Sequence, residues 1–446
     1  MRFTTILVLM GIGSLGCNPS DFNTILDKAP VQELGTPGAS TGSLFVLPLP
    51  APDPASKVAA RMLVSRRDSN YLSTADYDLD GKATLHEASD VEGVLGSPVY
   101  SAAMRLDGAI ILGTPSFGGG KTPGGKVTTF AVGSKADGSV SFGFLTKAEG
   151  GGHMGISVAA GFITGAPTGD FVAVGDNFVQ LIGTDPVASP QIAASADICQ
   201  ALQLGSTTGD FYAFRPVVVA DLIAGDLIAG AYDEIVLGGG QGQVLFVQYD
   251  GTDVLRCPTR ALTLGTSVSF GTSLAAGDFD GDGHPDLAVG APPNHVYVYF
   301  GPLDFGTPGA PINPSPGVDI VGSTPTQFGK QIAVYTTPGQ MTAQLMVADP
   351  TAPSSGGVGQ VMLYNIIRGT ATTPGTAQLV ATLFDSNKDS DPGLFGLNLG
   401  GLQFNTGLCN PVGGVQLVPW ASLGPSLFTF FAYSALVAPT DPRCFK

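Results

Sequence analysis

The plainest chemistry in the chain lies in one stretch, Asp278-Phe279-Asp280-Gly281-Asp282-Gly283-His284-Pro285-Asp286. The acids follow a DxDxDGxxD spacing. Alternate residues of a tight loop point inward, so Asp278, Asp280 and Asp282 converge. Gly283 permits the reversal that turns the His284 carbonyl the same way, and Asp286 closes the shell. A shell of about six to seven oxygens suits calcium, whereas magnesium gives up its waters reluctantly. Carboxylates crowded into one loop repel unless a cation sits among them. A second stretch, Asp76-Tyr77-Asp78-Leu79-Asp80-Gly81-Lys82-Ala83-Thr84-Leu85-His86-Glu87, aligns with the first, with Thr84 in place of the closing acid. It also meets the EF-hand loop pattern, which makes Glu87 the last ligand. Both readings place calcium on Asp76, Asp78, Asp80 and the Lys82 carbonyl; they differ over Glu87. Asp385–Asp391 is acidic too, but it lacks the loop glycine and reads as a solvated turn. The stretches Asp221–Asp233 and Gly161–Asp170 lack the acid spacing and are expected to hold no metal.

Strands must carry these loops. After Phe270-Gly271 the chain reads as Ser273–Ala276, Asp286–Val289 and His295–Phe300, the last alternating valine and tyrosine with a period of two. Gly290-Ala291-Pro292 breaks the chain between the second and third. Valine-and-aromatic strands of the third kind recur from Ser43, Gly125, Asn177, Gly242, Gly359 and Ser426. From Gly125 onward, and counting Asn294, their starts fall 52 to 67 residues apart. Phe-Gly recurs as Phe328-Gly329 and Phe395-Gly396 and degenerates to Leu95-Gly96 and Met154-Gly155. Gly113-Thr114-Pro115 loosely repeats the Gly-Ala-Pro. A period of about 60 residues, with about four strands in each unit, is the signature of a solenoid or propeller. No such unit buries both faces of its sheet alone, and stacking around an axis solves this with short edges. The chain has room for seven units, with six as the alternative and a β-sandwich array as the competing architecture. The strand at Ser43–Leu47 has no Phe-Gly before it and is a candidate to close the ring by joining the last blade.

Phe270-Gly271, the acidic loop and Gly290-Ala291-Pro292 together resemble an FG-GAP repeat, as in the β-propeller of integrin alpha subunits and many bacterial exported proteins. The match is sharp over 268–302 and recognisable at 328–365 and 395–432. The resemblance implies an all-β, seven-bladed propeller with calcium in some blade loops. It does not import integrin function.

Met1-Arg2, the apolar run Phe3–Leu15 and Cys17 read as a lipoprotein-type signal peptide over residues 1–16. Ser14-Leu15-Gly16-Cys17 resembles a lipobox, with Ser14 where that family usually has Leu, and Cys17 is the expected lipidation site. Asn18, rather than Asp, follows the cysteine, which in lipoproteins of diderm bacteria favours the outer membrane. Residues 17–40 read as a flexible tether and 41–446 as the propeller. Cys199, Cys257, Cys409 and Cys444 are an even set in an exported chain and imply two disulfides. Pairing by sequence neighbourhood gives Cys199–Cys257 and Cys409–Cys444. The histidines, His86, His153, His284 and His295, form no HxxxH pair. Pro411–Pro439 carries no charge, yet Pro419, Gly424 and Pro425 break any helix there. It reads as two buried strands, with Trp420 in the core.

Composition sets the outer bounds. With 63 Gly and 34 Pro among 446 residues, a coiled coil or helical bundle is excluded. A hydrophobic share of 43% and a mean hydropathy of +0.26 supply a core and argue against disorder. A net charge of -16 repels nucleic acid and fits a cation binder. The expected function is a calcium-binding, non-catalytic envelope protein that takes a protein or glycan ligand on the propeller face. It would meet the membrane through its lipid anchor only, as an exported outer-membrane lipoprotein facing the periplasm or the cell surface. The alternative is a propeller enzyme, a hydrolase or lyase acting on an extracellular polymer.

Overall fold

The computed structural model describes most of residues 94–182, 216–264 and 269–383, with shorter stretches at 31–35, 44–49, 58–66, 72–78, 83–88, 399–405, 415–423 and 426–430. Every named element is a β-strand. β1 (Val31–Gly35) comes first. A four-stranded sheet follows, of β2 (Leu44–Pro48), β3 (Val58–Arg66), β4 (Leu72–Asp78) and β5 (Ala83–Glu87). The next holds β6 (Ser101–Met104), β7 (Ile110–Thr114), β8 (Gly124–Ser134) and β9 (Val140–Gly151). β10 (Ser157–Gly161), β11 (Asp170–Val174) and β12 (Val179–Ile182) make a three-stranded sheet, after which residues 183–215 lie outside the described set. Then come β13 (Val217–Ala220), β14 (Glu234–Gly239), β15 (Gln243–Tyr249) and β16 (Leu255–Thr263). The following sheet has β17 (Ser273–Gly277), β18 (Asp286–Ala291) and β19 (His295–Tyr299). A small hairpin, β20 (Gly306–Thr307) and β21 (Ala310–Pro311), precedes its fourth strand, β22 (Val318–Val321). β23 (Gln331–Tyr335), β24 (Gln344–Ser354), β25 (Gly357–Ile367) and β26 (Thr376–Leu383) form the next. The last holds β27 (Leu399–Asn405), β28 (Val415–Leu423) and β29 (Ser426–Phe430), with β1 added at its edge.

Among the described residues these are six four-stranded blades, one three-stranded sheet and the small β20–β21 hairpin, all antiparallel. Their innermost strands touch in cyclic order: β2 beside β6, then β10, β13, β17, β23 and β27, which returns to β2 and β3. The chain is therefore an all-β propeller. Central strands are covered on both faces, which is why they read as unbroken apolar runs: Leu287, Ala288 and Val289 are all fully buried. The cores lie between blades. Phe270, Leu274 and Val289 pack with Val236, Val244 and Phe246 of the preceding blade. Ala288, Val296 and Val298 pack with Phe328, Leu345 and Val347 of the following one.

The Phe-Gly and Gly-Ala-Pro signatures are two halves of a joint between neighbours. Gly155, Gly271 and Gly329 have φ of +85°, +88° and +81°, a conformation that glycine alone adopts cheaply. Their carbonyls press against Gly113, Gly238 and Gly290 in the second strand of the blade before, where any Cβ would overlap the oxygen. The Ser101 and Ser273 hydroxyls donate to the Gly155 and Gly329 carbonyls at 2.8 and 2.7 Å. Phe270 and Phe328, one residue earlier, are fully buried in the interblade core.

The ring closes differently from expectation. The strand read at Ser43–Leu47 does not join the last blade; Leu44–Leu47 falls in β2, the innermost strand of the first blade, paired with β3. The closing strand is β1, antiparallel to β29 from Val31↔Phe430 to Gly35↔Ser426, within the stretch read as tether. The apolar run Leu44-Phe45-Val46-Leu47 suits an inner position between two blades. Val31-Gln32-Glu33-Leu34 mixes apolar with polar and charged residues, which suits an outer edge. In the uncharged C-terminal stretch, β28 and β29 are the two strands expected there. Cys17, Cys199, Cys409, Cys444 and the Asp385–Asp391 stretch lie outside the described residues, as does the side chain of Cys257 on β16.

Candidate metal centre

β17 and β18 pair with Gly277 opposite Asp286, so the acidic loop is the connection between the first two strands of its blade. Phe279 points into the core and anchors the loop, which leaves its neighbours Asp278 and Asp280 on the other side of the chain. Gly281 and Gly283, with φ of +83° and +89°, supply the two tight reversals. Asp286 is fully buried. Its Oδ1 accepts the Gly301 amide at 2.9 Å and its Oδ2 the Phe279 amide at 2.9 Å. The Asp278 oxygens accept the Gly281 and Gly283 amides at 2.6 and 3.0 Å. Asp280 Oδ1 accepts Asp282 N at 3.1 Å, and Asp282 Oδ1 accepts His284 N at 2.9 Å.

The loop brings together Asp278, Asp280 and Asp286, each with an oxygen within 4.8 Å of the others. Among the described residues no other group of this kind occurs. Asp282 is exposed and turned toward Arg368, and His284 is exposed. Burial pushes the Asp286 carboxyl up to about 7, with Asp280 and Asp282 adding to the rise and the Gly301 and Phe279 amides opposing it. Burial also raises Asp280, against the Asp282 amide and the nearby Arg368 charge. An all-oxygen set of close acids, one of them raised in pKa by burial and by its acidic neighbours, fits a hard divalent cation.

Two contacts tie this loop to the next blade. Ala343 N donates to the Asp278 carbonyl at 2.7 Å, and Arg368, just after β25, pairs with Asp280 and Asp282. Arg368 lies 86 residues from Asp282, and no local pattern in the sequence connects them.

The closing acid has a second role. Asp170 stands opposite Gly161 and Glu234 opposite Ala220, the same station as Asp286 opposite Gly277. Asp170 accepts the Ile163 and Thr164 amides at 3.1 and 2.8 Å; Glu234 accepts the Leu222 and Ile223 amides at 2.8 and 3.2 Å. A buried acid bracketing the start of the loop is thus common to three sheets.

The second acidic stretch is built otherwise. Asp76 and Asp78 lie on β4 and Glu87 on β5, so residues 76–87 form a hairpin between the third and fourth strands of the first blade. The registers Asp76↔Thr84 and Ser73↔Glu87 carry Glu87 away from the turn. Arg61, from β3, holds Asp76 in a buried bidentate pair at 2.6 and 2.7 Å, and His86 Nε2 is 3.7 Å away. Among the described residues, Asp76 is paired with Arg61, and Glu87 stands opposite Ser73, five residues along β4 from Asp78. Asp80 and Lys82 lie outside the described residues.

Residues 270–300 match the FG-GAP repeat. The matched segment runs from the buried Phe270 of the joint through the acidic loop to the end of β19, so one sequence unit supplies both joint and loop. Solved structures of similar shape include BBS1N in complex with ARL6DN, soaked with mercury. It is 13% identical, covers 87% of this chain and 95% of that one, and gives a TM-score of 0.45. The Dos1 propeller is 10% identical, covering 83% and 75%, with a TM-score of 0.40. No curated protein matches the chain in sequence.

Proposed function

We propose that this FG-GAP propeller is a calcium-binding, non-catalytic module of the cell envelope that takes a protein or glycan ligand on a propeller face. The observation that carries the calcium reading is the convergence of Asp278, Asp280 and the buried Asp286 on a loop whose backbone amides already fix their carboxylates in place. Bound calcium would neutralise these acids and brace the loop. The FG-GAP repeat suggests a binding or adhesion type of role. The alternative, a hydrolase or lyase on an extracellular polymer, would show as depolymerisation by the purified protein.

Calorimetric titration should count one calcium site, lost in Asp280→Ala, and EDTA should lower the melting temperature until calcium is restored. Calcium at about 100 times its dissociation constant adds ~2.7 kcal/mol by mass action. A second site lost in Asp78→Ala would return a cation to the 76–87 hairpin. A chelator-insensitive melt with no calcium heat would refute the calcium reading. Envelope placement rests on the leader and Cys17. The mature protein should partition into detergent, and Cys17→Ala should not; equal partitioning rules out the anchor. Non-reducing peptide maps test Cys199–Cys257 and Cys409–Cys444.

A further inference from the structure

Arg368 belongs to the blade after the acidic loop and reaches back across the gap between them. Its Nε lies 3.0 Å from Asp280 Oδ2, and its Nη1 pairs with Asp282 Oδ2. Its Nη2 donates to the Gly301 carbonyl at 2.9 Å, and its guanidinium sits 4.8 Å from the centre of the Phe300 ring. Gly301 also donates its amide to Asp286. One side chain of the neighbouring blade therefore touches two acids of the loop and the residue that holds a third. The Asp280 side chain is only 4% exposed, so this contact is largely shielded from water on the acid's side.

We propose that Arg368 is the resident counter-cation of the loop, an affinity-determining residue that neutralises Asp280 and Asp282 in the ion-free protein and competes with calcium for them. The proposal rests on the calcium reading above. The guanidinium draws Asp282 out of the group formed by Asp278, Asp280 and Asp286. For Asp282 to join an ion, Arg368 must release it, and for Asp280 to bind, the ion must share that carboxylate with a positive charge. Because Arg368 stands on the next blade, ion binding and the interblade contact are coupled, and the coupling is reciprocal.

The test compares wild type, Arg368→Gln and Arg368→Lys by calorimetric titration with calcium and by melting in EDTA and in calcium. Arg368→Gln should bind calcium about tenfold tighter, the effect of removing a unit charge roughly 6 Å from a divalent ion in a water-like dielectric. It should also melt lower in EDTA and gain more from calcium, while Arg368→Lys, which keeps the charge, stays near wild type. High salt should shrink the difference in affinity. Calcium affinity in Arg368→Gln equal to or weaker than wild type overturns the proposal. If wild type itself takes up no calcium, the calcium reading fails, and the EDTA melts decide the counter-cation role. A lower melting temperature for Gln, recovered by Lys, then supports it, and equal melting temperatures overturn it.

Discussion

Asp286 is a carboxylic acid under opposed influences: burial drives its pKa up to about 7, while two amides steady its charged form. In the unfolded chain the same group ionises near the ordinary aspartate value of 3.8. Between those values the folded state holds more protons, so this residue makes the ion-free protein less stable as pH rises through that window. In EDTA, the melting temperature of wild type should fall more steeply from about pH 5 to about pH 7.5 than that of Asp286→Asn. Parallel curves would show the carboxyl to be ionised throughout. Arg61 and Asp76 offer a different case. Asp76→Ala leaves a guanidinium buried without its partner and should cost about 3–5 kcal/mol in chemical denaturation. The paired change Arg61→Met with Asp76→Leu should cost much less, and equal losses would deny the ion pair any special weight. At this scale the sequence shows the acids of the first loop well, because a nine-residue spacing is local. It shows neither Arg368 as their partner nor Arg61 as that of Asp76, since a neighbouring blade supplies the one and an adjacent strand the other.

Three of the joints between blades depend on the absence of a side chain, at Gly113, Gly238 and Gly290. At Gly290 a Cβ would run into both the Gly329 carbonyl and the Ser273 hydroxyl. Gly290→Ala should therefore destabilise the protein by roughly 1–3 kcal/mol, the range for forcing atoms into a filled space. Gly283 serves as the control: nothing lies within 4 Å of its Cβ position, so Gly283→Ala bears only the positive-φ penalty of about 1–2 kcal/mol. Urea titrations that rank Gly283→Ala as much the more damaging would contradict the joint. The strands of this unit were legible in advance: the ranges read for 273–300 fall within two residues of β17, β18 and β19, because alternation and glycine breakers act locally. The 76–87 hairpin misleads for the same reason. A DxDxDG spacing looks alike after a first strand or a third, and only pairing with β3 and β5 reveals which strand carries it.

The ring as a whole was visible as a repeat of about 60 residues, but its closure was not, since five residues of mixed character carry no signature of a partner at the far end of the chain. A chain beginning at residue 41 lacks β1 and should melt below one beginning at residue 18; identical melts would mean that β29 needs no cover. The β1–β29 pairing also bears on how the molecule is made. Val31 is synthesised early, and its partner Phe430 is the last residue of the last strand. Closing so long a loop adds little at equilibrium, because the entropy grows only with the logarithm of length, but it delays folding. Until then the first strand is unmatched and the final blade has an open edge, a template for mispairing. A chain cut short during synthesis yields an arc with bare ends rather than a smaller ring. Joining head to tail thus acts as a check on completeness, and only a full-length product seals itself.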